Sequence, residues 1–405
     1  MTPTGAAAPS HSSLTPGPQP GAPNPVSTRF QATWWVYVLR RLRRLDPILL
    51  FLSGALLLAG LLFIYGAGQQ MGGKYAGLWQ RQIFWILLGI GTHVAVVLVD
   101  LRTLGRHSWV LYTAGTFLLA LVLVIGTEIN SAKSWLSLGP FTLQPAELMK
   151  PAAIVMLAWA ASRPGIRMER GDRILMLAAL TAIPVGLIAR QPDYGTALVF
   201  IPIGGLTVFL GGLRWKWIGL AVLLVAIAAP VGYRFALAPH QRDRIRTFLD
   251  PAADIQDAGW NAHQSMLAVG SGGAMGKGYR QGTQYVLGYL PRTVASTDFI
   301  FSVISEETGF VGAGAFLVAF LGVILCCLRT AALCPESFGS YAAAGVATLL
   351  AVHVFVNVGM TVRVAPIIGI PLPLVSYGGS FMLGTMICLG LVQNAYVHYR
   401  LEAER

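Results

Sequence analysis

Charged side chains are scarce in this chain: Asp, Glu, Lys and Arg make up 11% of its 405 residues, while 55% are hydrophobic. Soluble domains carry roughly a quarter charged residues, so a soluble globular fold is excluded and an integral membrane protein is expected. Cysteine is scarce too. Cys326, Cys327, Cys334 and Cys388 show no metal-ligand spacing and read as buried, inert thiols. Residues 1–28 contain no aromatic residue and are rich in Pro, Gly, Ser, Thr and Ala, so they cannot bury enough surface to fold alone and read as a disordered tail. No basic n-region leads directly into an apolar core there, which argues against a signal peptide. The absence of an evident internal repeat weakens an inverted-repeat transporter. A Walker phosphate loop is missing its Lys-Ser/Thr helix start, and no serine has a nucleophile-elbow context.

What is present is a series of apolar stretches. Spans of about 20 residues are expected at roughly 47–67, 82–100, 108–127, 145–162, 173–190, 194–212, 214–234, 298–328, 341–360 and 373–397. The fold expected is an all-α polytopic membrane protein of about ten transmembrane helices with one large extracytoplasmic loop, about 235–297. An even number of spans places both termini on one side. Sixteen of the 29 Lys and Arg then fall on the cytoplasmic side, six on the outer side and seven in the large loop, in keeping with the positive-inside rule. This distribution accounts for the net charge of +12 better than a nucleic-acid partner does. Residues 1–44 divide into the tail and a segment mixing Trp34, Trp35 and Tyr37 with Arg40, Arg41, Arg43 and Arg44, which suits a membrane interface. Residues 45–400 form the membrane domain, and 401–405 a cytoplasmic end.

The longest polar interval runs from Arg242 to Ile300. It holds Arg242, Arg244 and Arg246, then Asp250, Asp254 and Asp257, then a glycine-rich run with Lys277 and Arg280. Such a long loop is functional or disordered, and its Asp-Pro and Gly-Ser-Gly-Gly turns argue for order. Glycosyl transfer from a lipid diphosphate fits this inventory best. A carboxylate can take the proton of an acceptor hydroxyl as it attacks the anomeric carbon, and basic groups or backbone amides can hold the departing diphosphate. Residue types alone do not choose among the three aspartates, which read equally as a solvated acidic turn.

Ionisable residues at membrane depth are functional-site candidates by default. Glu147 and Lys150 share one helical face at the start of the fourth span; they read either as such a site or as a helix-start pair, and a partner inside the protein is expected. Asp193 and Asp298 read as helix caps or as site residues. Glu306 and Glu307 point to different faces, so at least one should face a polar interior. His353 and Asn357, four apart, suit hydrogen bonds between helices. The stretch from Pro366 to Ser380 cannot run as a straight helix through Pro371 and Pro373, and irregular backbone at that depth must be buried or line a cavity.

Taken together, WLSLGPFTLQPAELMK (135–150), QPDYGTA (191–197), LDPAAD (249–254), AGWNAHQSMLAVGSGGAMGKGYRQGTQ (258–284), TDFIF (297–301) and IPLPLVSYGGS (370–380) resemble the SEDS family (shape, elongation, division and sporulation). The likeness spans about residues 45–400, and Gly276-Lys277-Gly278, Gly282-Thr283-Gln284 and Leu372-Pro373-Leu374 look more like its elongation branch than its division branch. The resemblance implies a ten-helix peptidoglycan glycosyltransferase in the bacterial cytoplasmic (inner) membrane. It would polymerise lipid II, the undecaprenyl-diphosphate-linked disaccharide peptide, with inversion, beside a class B penicillin-binding protein that cross-links. It implies Asp254 as the catalytic base. Glu147, Lys150, Asp193 and Asp298 fall on family motif positions, and Lys133, Arg246 and Lys277 are candidates for binding the diphosphate. A divalent cation (magnesium or manganese) is compatible with this set, although no pattern demands one. Three departures stand out: Ser134, preceded by Lys133, replaces an arginine before Trp135; Ser296 replaces a histidine before Thr297; and Asp257 is an additional acid beside Asp254. Arg and Lys are not equivalent for fork-like anion contacts. The competing readings are a lipid II flippase and a non-catalytic scaffold for the transpeptidase.

Overall fold

The computed structural model describes residues 25–129, 132–139, 141–163, 171–210 and 258–404, with isolated positions between 216 and 248. Two compact units are separated at Arg43 and Arg44. In the first, residues 25–42 form helix α1 (Pro25–Leu42), so the aromatic and basic stretch is helical, with Trp34 and Trp35 in edge contact and Arg41 over the Tyr37 ring.

The second unit contains α2 (Pro47–Met71), α3 (Leu78–Leu98), α4 (Leu101–Arg106), α5 (Ser108–Ile125), α6 (Pro145–Ser162), α7 (Gly171–Ala189), α8 (Tyr194–Leu210), α9 (Ala258–Ser271), α10 (Arg292–Ala295), α11 (Ile300–Leu333), α12 (Ser337–Thr361) and α13 (Gly379–Ala403). Seven of them, α2, α3, α5, α7, α11, α12 and α13, are long and apolar enough to cross a membrane. The α6 helix coincides with the fourth expected span, and α8 is a shorter apolar helix. Of the seventh expected span only isolated positions are described, all of them on helical backbone. The helical reading leaves out a three-stranded antiparallel sheet of order β1 (Thr127–Ile129), β2 (Ala132–Leu138) and β3 (Phe141–Leu143). Pairing gives β2 a face of period two, with Ser134 and Leu136 buried and Ser137 exposed, and a turn follows at Gly139 with φ of 66°.

The most enclosed helices are α13, 83% buried in its apolar window, and α12, 61% buried, against no more than 28% for the other five. Inside lipid, hydrophobic transfer adds little to helix association, so close approach of small residues and polar contacts matter more. Helix α12 supplies the first with buried Ala342, Ala343, Ala344 and Gly345. Asp46 supplies the second. It is fully buried, caps α2 through Ile48 N and Leu49 N, pairs with Arg329 of α11, and exchanges backbone bonds with the Gln393 amide of α13. Arg44 and Glu404 pair at this same end. The helices therefore run so that the turns at 72–77, 127–144 and 190–193, the loop 272–299 and the segment 362–378 all gather at the opposite end.

Candidate functional site

Segment 362–378, between α12 and α13, is the hub of that end. Pro366, Pro371 and Pro373 deny it a helical ladder, and its buried backbone must be satisfied otherwise. Asn357 Nδ2 donates to Ile370 O (2.7 Å) and to Asp298 O (2.8 Å), and the His353 ring bonds to Pro371 O at 3.1 Å. Ser376 Oγ accepts from Leu372 N (2.8 Å) and donates to Thr297 O (2.5 Å), while Tyr377 N donates to Ser296 O (2.9 Å). Gln144 N donates to Ser380 Oγ at 2.9 Å. Gly195 permits a close approach, since a Cβ there would sit 2.5 Å from Ile368 Cγ2. Three motif segments that are remote in sequence, around Gln144, Gly195 and Asp298, thus meet one strap of irregular backbone.

Beneath it lies the buried ion pair. Lys150 Nζ donates to both Glu147 carboxylate oxygens at 2.8 Å and to His353 Nε2 at 3.2 Å. All three residues are buried. The Phe381 ring lies beside both the ammonium and the imidazole. A small cavity is lined by Glu147, Lys150, His353, Pro373, Phe381 and Thr385. The partner expected for this pair is therefore the pair itself, completed by His353 from α12.

Asp193 caps α8, Oδ1 accepting from Thr196 N at 3.1 Å, and its Oδ2 accepts from the Gln144 amide at 2.8 Å. It fills the capping role and is linked to the Gln144-Pro145 start of α6 at once. The Gln144 contact has no sequence signal beyond its place beside Pro145. Buried Ser134 places its Oγ 3.5 Å from Gln191 O. Lys133 Nζ donates to Leu123 O (3.0 Å) and Val124 O (2.9 Å), the last carbonyls of α5. This is helix C-terminal capping, and it leaves the ammonium one of its three donors. Asp298 Oδ2 lies 3.3 Å from the Cβ position of Gly369, on the edge of the strap.

The glycine-rich loop is clamped by α11. Fully buried Glu306 accepts from Lys277 Nζ (2.5 Å), Thr283 N (2.7 Å), Thr283 Oγ1 (2.9 Å) and Gln284 N (3.2 Å). Lys277 also donates to Thr283 Oγ1 at 2.8 Å, so one of its donors is engaged by the α11 carboxylate and one within the loop. The Tyr285 hydroxyl donates to Glu307 Oε1 at 2.5 Å. Burial, and then this bond, pushes the phenol far above its usual range, so it remains a donor at physiological pH. Gly309, with φ of 67°, breaks α11 where Phe310 N and Val311 N donate to Gly273 O and Ala274 O. The first part of the eighth span is thus buried in the protein. Ser265 of α9 bonds to Ser302 Oγ (2.6 Å) and Thr361 O (3.0 Å), which fixes the helix that follows the acidic turn in the chain. Replacing Glu306 by Gln should remove the charge-assisted bond, costing about 2 kcal/mol locally. Amide exchange at Thr283 and Gln284 would then accelerate roughly 30-fold; unchanged exchange would refute the clamp.

Asp254 lies outside the described residues, as do Asp250 and Asp257, and Arg246 is exposed on helical backbone. Among the described residues no group of three or more His, Cys, Asp or Glu could hold a metal ion.

Residues 47–401 match the family model of FtsW, RodA and SpoVE, described as cell cycle protein. The chain is 36% identical over 360 residues to the peptidoglycan glycosyltransferase MrdB of Escherichia coli, covering 88% of this chain and 95% of the relative. A chain of a peptidoglycan synthase complex, solved for the coordination of polymerization and crosslinking, matches with a TM-score of 0.75 at 32% identity, over 89% of this chain and 99% of that one. The crystal structure of the rod shape determining protein RodA of Thermus thermophilus matches with a TM-score of 0.65 at 30% identity, over 87% and 96%. Near-complete coverage at these identities leaves one conclusion: the chain belongs to the FtsW, RodA and SpoVE family of cell cycle proteins.

Proposed function

We propose that this protein is a peptidoglycan glycosyltransferase that polymerises lipid II. The observation that carries this reading is the likeness, over 88% of the chain, to relatives named for that activity, in a chain whose described motif segments converge on one end of the bundle. The acceptor sugar hydroxyl attacks the anomeric carbon of the donor, and its proton passes to the Asp254 carboxylate. The glycosidic C–O bond forms as the bond to the diphosphate oxygen breaks, and the lipid diphosphate leaves. Positive charge for the diphosphate comes from Arg246, with the remaining donors of Lys277 and Lys133, or from a divalent cation, magnesium or manganese. Glu147, Lys150, Asp193 and Asp298 position the strap and the helix ends around the substrate.

The partner proposed is a class B penicillin-binding protein, supported by the assembly of the similar chain in a peptidoglycan synthase complex. The membrane proposed is the bacterial cytoplasmic membrane, with both termini cytoplasmic, supported by the arginine-rich terminal segments. The test is a gel assay of glycan formation from lipid II by purified protein in detergent, with and without a partner free of transglycosylase activity. Product ladders are expected, and a chelator arm separates a cation from side-chain charge. If folded, complexed protein makes no glycan although lipid II is supplied without a membrane barrier, the flippase or scaffold reading takes its place.

A further inference from the structure

We propose that His353 is a positioning residue, which sets the strap 362–378 against the buried Glu147–Lys150 pair and thereby aligns the motif segments at the outer end of the bundle. The proposal rests on the glycosyltransferase reading for its kinetic part only. Its physical basis is the hydrogen-bond inventory of the imidazole. A carbonyl can only accept and an ammonium can only donate. The Pro371 carbonyl at 3.1 Å therefore requires the proton on Nδ1, and Lys150 at 3.2 Å requires a lone pair on Nε2. One neutral tautomer satisfies both contacts; the other satisfies neither.

The Pro371 contact is the one that positions. Pro371 sits inside a strap with no helical or strand ladder of its own, so each fixed carbonyl removes a large share of its freedom. Asn357, one turn further along α12, holds the neighbouring Ile370 carbonyl and the Asp298 carbonyl. The two side chains thus place one rigid helix face against consecutive carbonyls of the strap. From there the strap touches Thr297 through Ser376, Ser296 through Tyr377 and Gly195 through Ile368. Just past its far end, Ser380 in the first turn of α13 accepts from the Gln144 backbone N–H. Releasing Pro371 loosens the relative placement of Asp193, Asp298 and Glu147 without touching any of them. Lys150, by contrast, keeps both carboxylate oxygens of Glu147 when His353 is removed.

The two ring nitrogens can be replaced separately. In His353→Asn the side-chain amide stands where Nδ1 stood; in His353→Gln it stands where Nε2 stood; His353→Ala has neither. Each full-length variant is compared with wild type in detergent by amide exchange over residues 370–377 and by kcat and KM for glycan formation. One lost buried bond corresponds to exchange about tenfold faster at Leu372, Val375 and Tyr377 in the Ala and Gln variants, with Asn close to wild type. Misplacement of the strap should lower kcat about tenfold or more in Ala and Gln while KM stays within about twofold, again with Asn close to wild type. Rescue by Gln rather than Asn, wild-type exchange in His353→Ala, or faster exchange with unchanged kcat would each overturn the proposal. If wild type itself makes no glycan, the functional reading fails, and the exchange data alone decide whether His353 holds the strap.

Discussion

Asp254→Asn is expected to abolish lipid II polymerisation while leaving the folded protein intact. Asparagine has nearly the shape of aspartate but cannot accept the acceptor's proton, and general-base catalysis is worth roughly 10²–10⁴ in rate. Turnover should fall by about that factor, with KM little changed, because the loss falls on the transition state. The neighbouring acids give an internal control. Asp250 and Asp257 stand four and three residues away in sequence, so the same substitution there should cost less than about tenfold if Asp254 alone is the base. The measurement is initial glycan formation by purified wild type and variants, each checked for its thermal unfolding midpoint. Full activity in Asp254→Asn would remove the base assignment; equal losses at all three positions would assign the job to the acidic turn as a whole.

The second large effect is on stability. In Lys150→Met the Glu147 carboxylate keeps its buried position and loses the ammonium that both oxygens face. Breaking a buried pair from one side costs about 3–5 kcal/mol, because a charge is left uncompensated. A sharp fall in the thermal midpoint in detergent is the expected result. The double variant Glu147→Leu/Lys150→Met removes both charges and should recover most of that loss, since well-packed apolar replacements of buried pairs are often neutral or better. The comparison separates two roles. Restored stability with absent polymerisation would mean that the pair serves the reaction, while restored stability with restored activity would make it structural glue. A wild-type midpoint in Lys150→Met alone would contradict the buried geometry.

How much of this was legible beforehand differs from element to element. The limits of α2, α5, α6, α7 and α8 fall within a few residues of the apolar stretches read from the sequence. A bilayer demands a run of apolar side chains of set length, and such a run is a property of consecutive residues. That at least one of Glu306 and Glu307 faces a polar interior was legible in their being adjacent, whereas the break at Gly309 shows only in the structure. The family itself was legible because its motifs are contiguous strings. The sheet at 127–143 was not, because its strands are three to seven residues long and only pairing gives them an alternating face.

Side-chain roles divide in the same way. Sequence alone determined that this is a polytopic membrane protein, which segments resemble the family's motifs, and which residue types are available for acid–base and anion contacts. The tertiary structure alone decided where each charge is spent. Lys133 and Lys277 were equivalent on paper as diphosphate ligands, yet one caps α5 and the other clamps the loop through Glu306. Glu147 and Lys150 could be seen to share a face, but not that His353, some two hundred residues on, completes their contacts. The reason is physical. Hydropathy and motif strings are local sums along the chain, whereas the partner of a buried charge depends on the rotation and depth of helices from distant parts of it. A buried donor takes whichever acceptor the packing brings within 3 Å.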